Sequence, residues 1–140
     1  MSEIITDKLT GKTSAGDVTI TSEGGSATMQ LQQGVAKAWI NMDGTGTITT
    51  RDSFNISSIT DSGTGTYQHN SSNAMSSDDF VCVYNSGNGA GNSDNSTNPG
   101  NSFSSSHVNT ASQTVMETMG DTAVNTDRNY IGGTWHGDLA

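Results

Sequence analysis

A few short stretches contain residue types that could carry out chemistry. Gly11, Lys12 and Thr13 match the end of a phosphate-binding loop, but Thr6 stands where such a loop needs a glycine. Asp94, in the stretch GNGAGNSDN, could bind a hard cation together with loop carbonyls. Calcium-binding glycine repeats occur in tandem, however, and this is a single copy. We therefore predict a solvated loop there, with no metal site and no cofactor.

Nucleophilic and acid-base catalysis have little support in the sequence. No serine lies in a G-x-S-x-G elbow. Asp78 and Asp79 are neighbours in sequence and are not placed as an acid-base pair. The histidines could bind a transition metal only if one from each chain met on a threefold axis; they are His69, His107 and His136. We expect a protein that is not an enzyme.

Glycan binding fits the residue types better. Carbohydrate sites on β-scaffolds stack sugars on exposed aromatic rings and bind hydroxyls through Asn, Asp and backbone groups. The candidate rings are Trp39, Tyr67, Tyr84, Tyr130 and Trp135. Trp39 and Tyr84 are also typical of a core or a subunit interface. The contact residues that we predict are Trp135, Tyr67, Asn92, Asp94 and Asn95.

Composition limits the partners of this 140-residue chain. A net charge of −9 with only five Lys and Arg argues against nucleic acid, which needs clustered cations. No apolar run is long enough to insert into a membrane, and MSEIITDKLTGK lacks the layout of a signal peptide. Leu, Ile, Val and Phe make up about 15% of the chain, so a monomer would bury little apolar surface. We therefore expect association of copies to complete the core.

Alternation of apolar and polar residues predicts strands throughout. Ala38, Ile40 and Met42 share one face of a strand, and SQTVMETM alternates in the same way. We expect TITTRDSFNI to continue as a strand, FVCVY (80–84) to be a central strand covered on both faces, and NYIGGTWHGDLA to form a short strand broken by its glycines. Cys82 then reads as a small buried residue.

The sequence GTGT occurs twice, at 44–47 after Asp43 and at 63–66 after Asp61 and Ser62. Asp-Gly and related pairs favour tight hairpins. Each copy is therefore predicted to be a β-hairpin turn that leads into a Thr-rich strand. Two copies are too few for a repeat architecture.

The blocks KAW, GTGT, DSFN, SSITDSGTGTY and the ending GDLA resemble those of small virion structural and tail-fibre-like proteins of marine tailed bacteriophages. This resemblance covers most of the chain outside 85–109. It implies a non-enzymatic, β-rich, homotrimeric protein on the virion surface, synthesised in the bacterial cytoplasm and released by lysis. A fibre or knob that attaches to the host is implied first, and a capsid decoration protein is the alternative. A polysaccharide-degrading or peptidase spike is a third possibility.

Together these features predict an all-β fold: an antiparallel, jelly-roll-like β-sandwich knob over 35–140, with a long polar loop at 85–106. An extended β arm over 1–34 would anchor the knob to other virion proteins. Copies of the chain and a host surface glycan are the other partners that we expect.

Overall fold

The computed structural model describes residues 3–12, 18–22, 24–25, 27–87, 109–119 and 124–140. The chain divides into two compact units, Met1–Val35 and Ala36–Ala140. Regular structure in the described parts is almost entirely antiparallel β, which confirms the predicted all-β class. None of the described segments is a helix with the length and apolar character needed to cross a bilayer.

The first unit contains a small antiparallel ribbon. Strands β1 (Thr19–Thr21) and β2 (Thr28–Gln30) pair through a turn in which Gly25 has a φ of 72°. A 3-10 helix, Leu31–Gly34, follows directly. All residues of both strands are exposed, so this ribbon has no buried face of its own.

The second unit contains two sheets. The four-stranded sheet has the order β4-β3-β9-β7, and the three-stranded sheet has the order β5-β6-β8. The strands are β3 (Ala38–Asp43), β4 (Thr49–Phe54), β5 (Ile56–Gly63), β6 (Thr66–Ser71), β7 (Val81–Gly87), β8 (Gln113–Glu117) and β9 (Tyr130–His136).

Both GTGT stretches form hairpin turns, one between β3 and β4 and one between β5 and β6. A buried polar group links the two turns. The Tyr67 hydroxyl lies 3.0 Å from the Gly44 carbonyl oxygen and 2.9 Å from Asp127 Oδ1, and it donates to one of them at a time. The same carboxylate oxygen accepts the amide proton of Gly65 at 2.7 Å. Desolvation and the Asp127 carboxylate raise the pKa of Tyr67, so the hydroxyl keeps its proton.

Asn55 separates β4 from β5, so the single strand expected over TITTRDSFNI is wrong. Its backbone is left-handed, with a φ of 58°, a conformation that Asn adopts more readily than most residues. Its side-chain amide donates to the carbonyl oxygens of Lys37 and Asn73, and its Oδ1 accepts the backbone amide proton of Asn73. These bonds hold the corner where the chain leaves one sheet and enters the other.

The buried side chains of the two sheets form one cluster. Its members are Ala38, Ile40, Met42, Tyr67, Met75, Tyr84, Met116, Ile131 and Trp135. Hydrogen bonds also connect the two sheets inside this cluster. Trp135 Nε1 of one sheet donates to Thr114 Oγ1 of the other at 3.0 Å, so both buried polar groups have a partner. His69 is buried beside the rings of Tyr84 and Trp135.

Two further expectations about strands are wrong. Residues 81–84 of this run lie in β7, which is an edge strand of its sheet, and Val81 and Val83 are 63% and 56% exposed. Strand β9 is continuous through Gly132 and Gly133, and it pairs with β3 on one side and with β7 on the other. The short glycine-containing segment is thus a central strand.

Gly132 and Gly133 point to opposite faces of β9 and provide a matched pair of substitutions. A Cβ on Gly133 would lie 2.6 Å from the Tyr84 ring in the core, whereas one on Gly132 would meet only the end of the Asn85 side chain. We expect Gly133→Ala to lower the free energy of unfolding by about 1–3 kcal/mol and Gly132→Ala to change it by less than about 0.5 kcal/mol. Urea denaturation measures both values, and equal effects would contradict this packing.

The buried His69 predicts a stability that depends on pH. Burial lowers the pKa of His69 from 6.5 to about 4. Between these pH values the unfolded chain binds a proton at His69 and the folded chain does not. The contribution of His69 to the free energy of unfolding is therefore fully present above pH 6.5. It falls as the pH drops towards 4, by at most about 3 kcal/mol. Urea denaturation between pH 7 and 4.5 measures this slope.

The matched variant is His69→Leu, which removes the titrating group and keeps a side chain of similar size. Its unfolding free energy should change much less over the same pH range, whatever its value at pH 7. A slope equal to that of the original chain would contradict the assignment to His69.

Candidate functional site

The two predicted contact residues that the structure describes do not lie on a surface. Trp135 and Tyr67 are 2% and 0% exposed and belong to the core, so the prediction that their rings face a ligand is wrong. The reason is strand parity: both residues lie on the inward faces of β9 and β6, where their polar atoms bond to Thr114, Gly44 and Asp127. Asn92, Asp94 and Asn95 lie outside the described residues.

Other aromatic residues lie on the outer face of the four-stranded sheet. Tyr130 and Phe54 are each 52% exposed and Trp39 is half-buried, whereas Tyr84 belongs to the core. Sequence reasoning missed Phe54. The alternation along NYIGGTW could have identified Tyr130 as exposed, because alternate residues of a strand point to opposite faces. Tyr130 therefore lies on the face opposite to Ile131 and Trp135.

An apolar row crosses this outer face. Phe54 of β4 pairs with Trp39 of β3, Trp39 pairs with Thr134 of β9, and Thr134 pairs with Val83 of β7. Residues that are directly paired across antiparallel strands have Cβ atoms about 4.5–5.5 Å apart. These side chains, with the exposed Val81 at the edge, therefore form a contiguous strip, which we call the apolar row.

A polar row runs parallel to it, two residues further along β3. Asp52 of β4 pairs with Asn41 of β3, Asn41 pairs with Gly132 of β9, and Gly132 pairs with Asn85 of β7. Neighbouring strands are about 4.8 Å apart, so the backbones of Asn41 and Asn85 are about 10 Å apart with a glycine between them. Because Gly132 has no side chain, the Asn85 amide leans over it, and Asn41, Asn85 and Gly132 line a depression here.

This depression is a groove of about 410 Å³, within the range of about 300–1,000 Å³ that is typical of small-molecule sites. Its lining includes Asn41, Asn85, Ser86, Gly87, Tyr130 and Gly132. We call it the outer-face groove. Its walls combine amide, hydroxyl and aromatic groups.

Arg51 fixes one end of the groove. It is the extra residue at a β-bulge, where the pairing of β3 and β4 shifts by one position. Its guanidinium donates to the Met42 carbonyl oxygen at 2.7 Å and to Asp43 Oδ2 at 3.0 Å, and it lies 4.6 Å from the centre of the Tyr130 ring. The Tyr130 ring is thus held by a cation that is itself anchored.

Asp43 completes this end of the site. Its Oδ1 accepts hydrogen bonds from the Thr45 hydroxyl at 2.6 Å and from the Thr45 backbone amide at 2.9 Å. These bonds, with the nearby Arg51, lower the pKa of the Asp43 carboxyl, so it stays ionised and holds Arg51 at neutral pH. The charge of Arg51 is therefore already matched.

Three observations describe the chemistry open to the described residues. No three side chains of His, Cys, Asp or Glu among them lie close enough together to hold a metal ion. Burial raises the pKa of Cys82 to about 11, so its thiol stays protonated and is a poor nucleophile. The outer-face groove offers hydrogen-bonding amides and an exposed ring, which suit recognition of a ligand.

Comparisons of the chain with protein-family models, with curated proteins and with solved structures find no match. What the protein does must therefore be inferred from its own residues and geometry.

Proposed function

We propose that this chain is a non-enzymatic structural subunit of a bacteriophage particle. It forms a surface-exposed homotrimeric fibre or knob that attaches to the host. The two sheets of the second unit act as a jelly-roll-like sandwich, which copies of the chain complete. The protein is synthesised in the bacterial cytoplasm, released by lysis and displayed on the virion.

The exposed apolar side chains of the first unit carry this proposal. None of its described residues is buried, and most of its large apolar side chains lie open to solvent, among them Ile4 at 86%, Ile5 at 87%, Leu9 at 57%, Ile20 at 44% and Met29 at 51%. A two-stranded ribbon is marginally stable by itself. A partner surface that covers these side chains explains both features, and in the proposed role that surface belongs to another virion protein.

The apolar row supports association of copies through the second unit. Phe54, Val81 and Val83 expose more than half of their surface on one side of a sheet, together with the half-buried Trp39. Contiguous exposed apolar patches are typical of protein interfaces. The low apolar content of the chain and the likeness of its KAW, GTGT and DSFN blocks to phage virion proteins agree with this role.

Sedimentation tests the assembly. At about 10 μM we expect the purified chain to sediment as a trimer, with three times the 14.5 kDa chain mass. Replacing Val81 and Val83 together by Lys should give a folded monomer, because charges in the apolar row oppose its burial. The matched control places Lys at Thr60 and Ser62, two exposed positions of β5 with the same spacing, and should remain trimeric. A monomer for the original chain would contradict the proposed trimer.

Location on the particle tests the role. Electron microscopy of phage particles labelled at the C-terminus should place the label at the tail apparatus if the chain is a fibre or knob. Label spread over the shell would contradict the fibre and identify a capsid decoration protein. Absence of the chain from purified particles would contradict both.

A further inference from the structure

We propose that the outer-face groove binds a neutral saccharide, with Asn41, Asn85 and Tyr130 as the contact residues. This inference deepens the proposed attachment function, on which it rests, because it names the ligand class and the site. These three residues are exposed to solvent, whereas Trp135 and Tyr67, the rings predicted from the sequence, are buried.

The floor of the groove is suited to close approach. Gly132 is the outward-facing residue of a central strand, and its lack of a side chain leaves room for the Asn85 amide above it. A Cβ at Gly132 would meet Asn85 Oδ1, so the Asn85 amide leans over the glycine. The Asn85 amide therefore covers Gly132 and is itself the polar group that a ligand in the groove would meet.

The polar groups match sugar hydroxyls. A side-chain amide offers one acceptor oxygen and two N–H donors, and a hydroxyl can both donate and accept. Asn41 and Asn85 face the groove from both sides, and the Asn85 amide forms no hydrogen bond with any other residue in the described ranges. Two such groups that line one groove can bind different hydroxyls of one sugar ring.

Tyr130 supplies a stacking surface. The C–H bonds on one face of a pyranose form a flat, weakly positive patch that fits the negative face of an aromatic ring. Tyr130 is 52% exposed, and Arg51, 4.6 Å from its ring centre, limits its movement. A ring that is held in place before binding loses less conformational entropy when a ligand stacks on it.

Charge favours a neutral ligand. The chain carries a net charge of −9, and Asp43 and Asp52 lie beside the groove. Arg51, the cation next to it, is engaged by Asp43 and by the Met42 carbonyl oxygen. An acidic sugar or a phosphate group would therefore meet repulsion without a free cation to offset it.

Saturation-transfer NMR with the full chain tests the proposal. The probes are the methyl glycosides of glucose, galactose, mannose and N-acetylglucosamine, with N-acetylneuraminic acid as the anionic comparison. Concentrations up to about 20 mM detect the millimolar dissociation constants expected for one sugar ring in an open groove. We expect transfer to at least one neutral glycoside and none to the acid.

Four variants locate the contact. Gly132→Val fills the groove with a residue that favours strands, and it should abolish transfer while the amide spectrum stays that of a folded chain. Tyr130→Ala should weaken binding at least about tenfold, and Tyr130→Phe, which keeps the ring, by less than about twofold. Asn85→Ala should weaken it by about fivefold. Thr60→Ala on β5, in the other sheet, is the control and should bind as the original chain does.

Transfer to no neutral glycoside, transfer only to the acid, or transfer that survives in folded Gly132→Val would each overturn the saccharide site. Sedimentation and labelling of particles do not depend on any sugar, so they report separately on the attachment function. A chain that forms trimers at the tail but binds no neutral glycoside would reject this inference alone.

Discussion

Strand β9 lacks side chains at two adjacent positions, and both the core and the outer-face groove depend on this. The inward position, Gly133, leaves the space that the Tyr84 ring fills beside Trp135. The outward position, Gly132, leaves room for the Asn85 amide, which lines the outer-face groove together with Asn41. Glycine in a central strand has no side chain to pack, and it often occurs where another group lies close to the strand. Here the approaching group on the inner side is the Tyr84 ring, and on the outer side it is the Asn85 amide.

The core around Tyr84 compensates for a scarcity of apolar residues. Aromatic rings and methionines supply much of the buried volume, and polar groups such as the Thr114 hydroxyl and the His69 imidazole lie among them. Such a core needs specific hydrogen bonds, since a buried polar group without a partner is costly. The bond from Trp135 to Thr114 and the Tyr67–Asp127 group therefore link strands that apolar contact alone would hold less firmly.

Turns and strand alternation could be predicted from the sequence, whereas the position of each strand in its sheet could not. The GTGT hairpins and the alternation along SQTVMETM follow from turn chemistry and side-chain periodicity, and the structure has both. An apolar run such as FVCVY does not reveal how many of its faces are covered, so the edge position of β7 could not be read from it. The exposure of Trp135 was mispredicted because the adjacent glycines were taken to break β9, which removed the alternation that places Trp135 inside.

The outer-face groove could not be found from sequence spacing, because its walls come from β3, β7 and β9, which are far apart along the chain and meet only through the sheet order. The same sheet order places Phe54, Trp39 and Val83 in one row. A chain with few apolar residues would gain stability by turning those side chains inward, yet β7 has Val81 and Val83 outside and Cys82 and Tyr84 inside. Apolar side chains that stay exposed contribute no burial energy to the stability of an isolated subunit. Burial against another copy would contribute about 25 cal/mol for each Å² removed from water. The proposed assembly of copies would bury these side chains and supply that stabilisation.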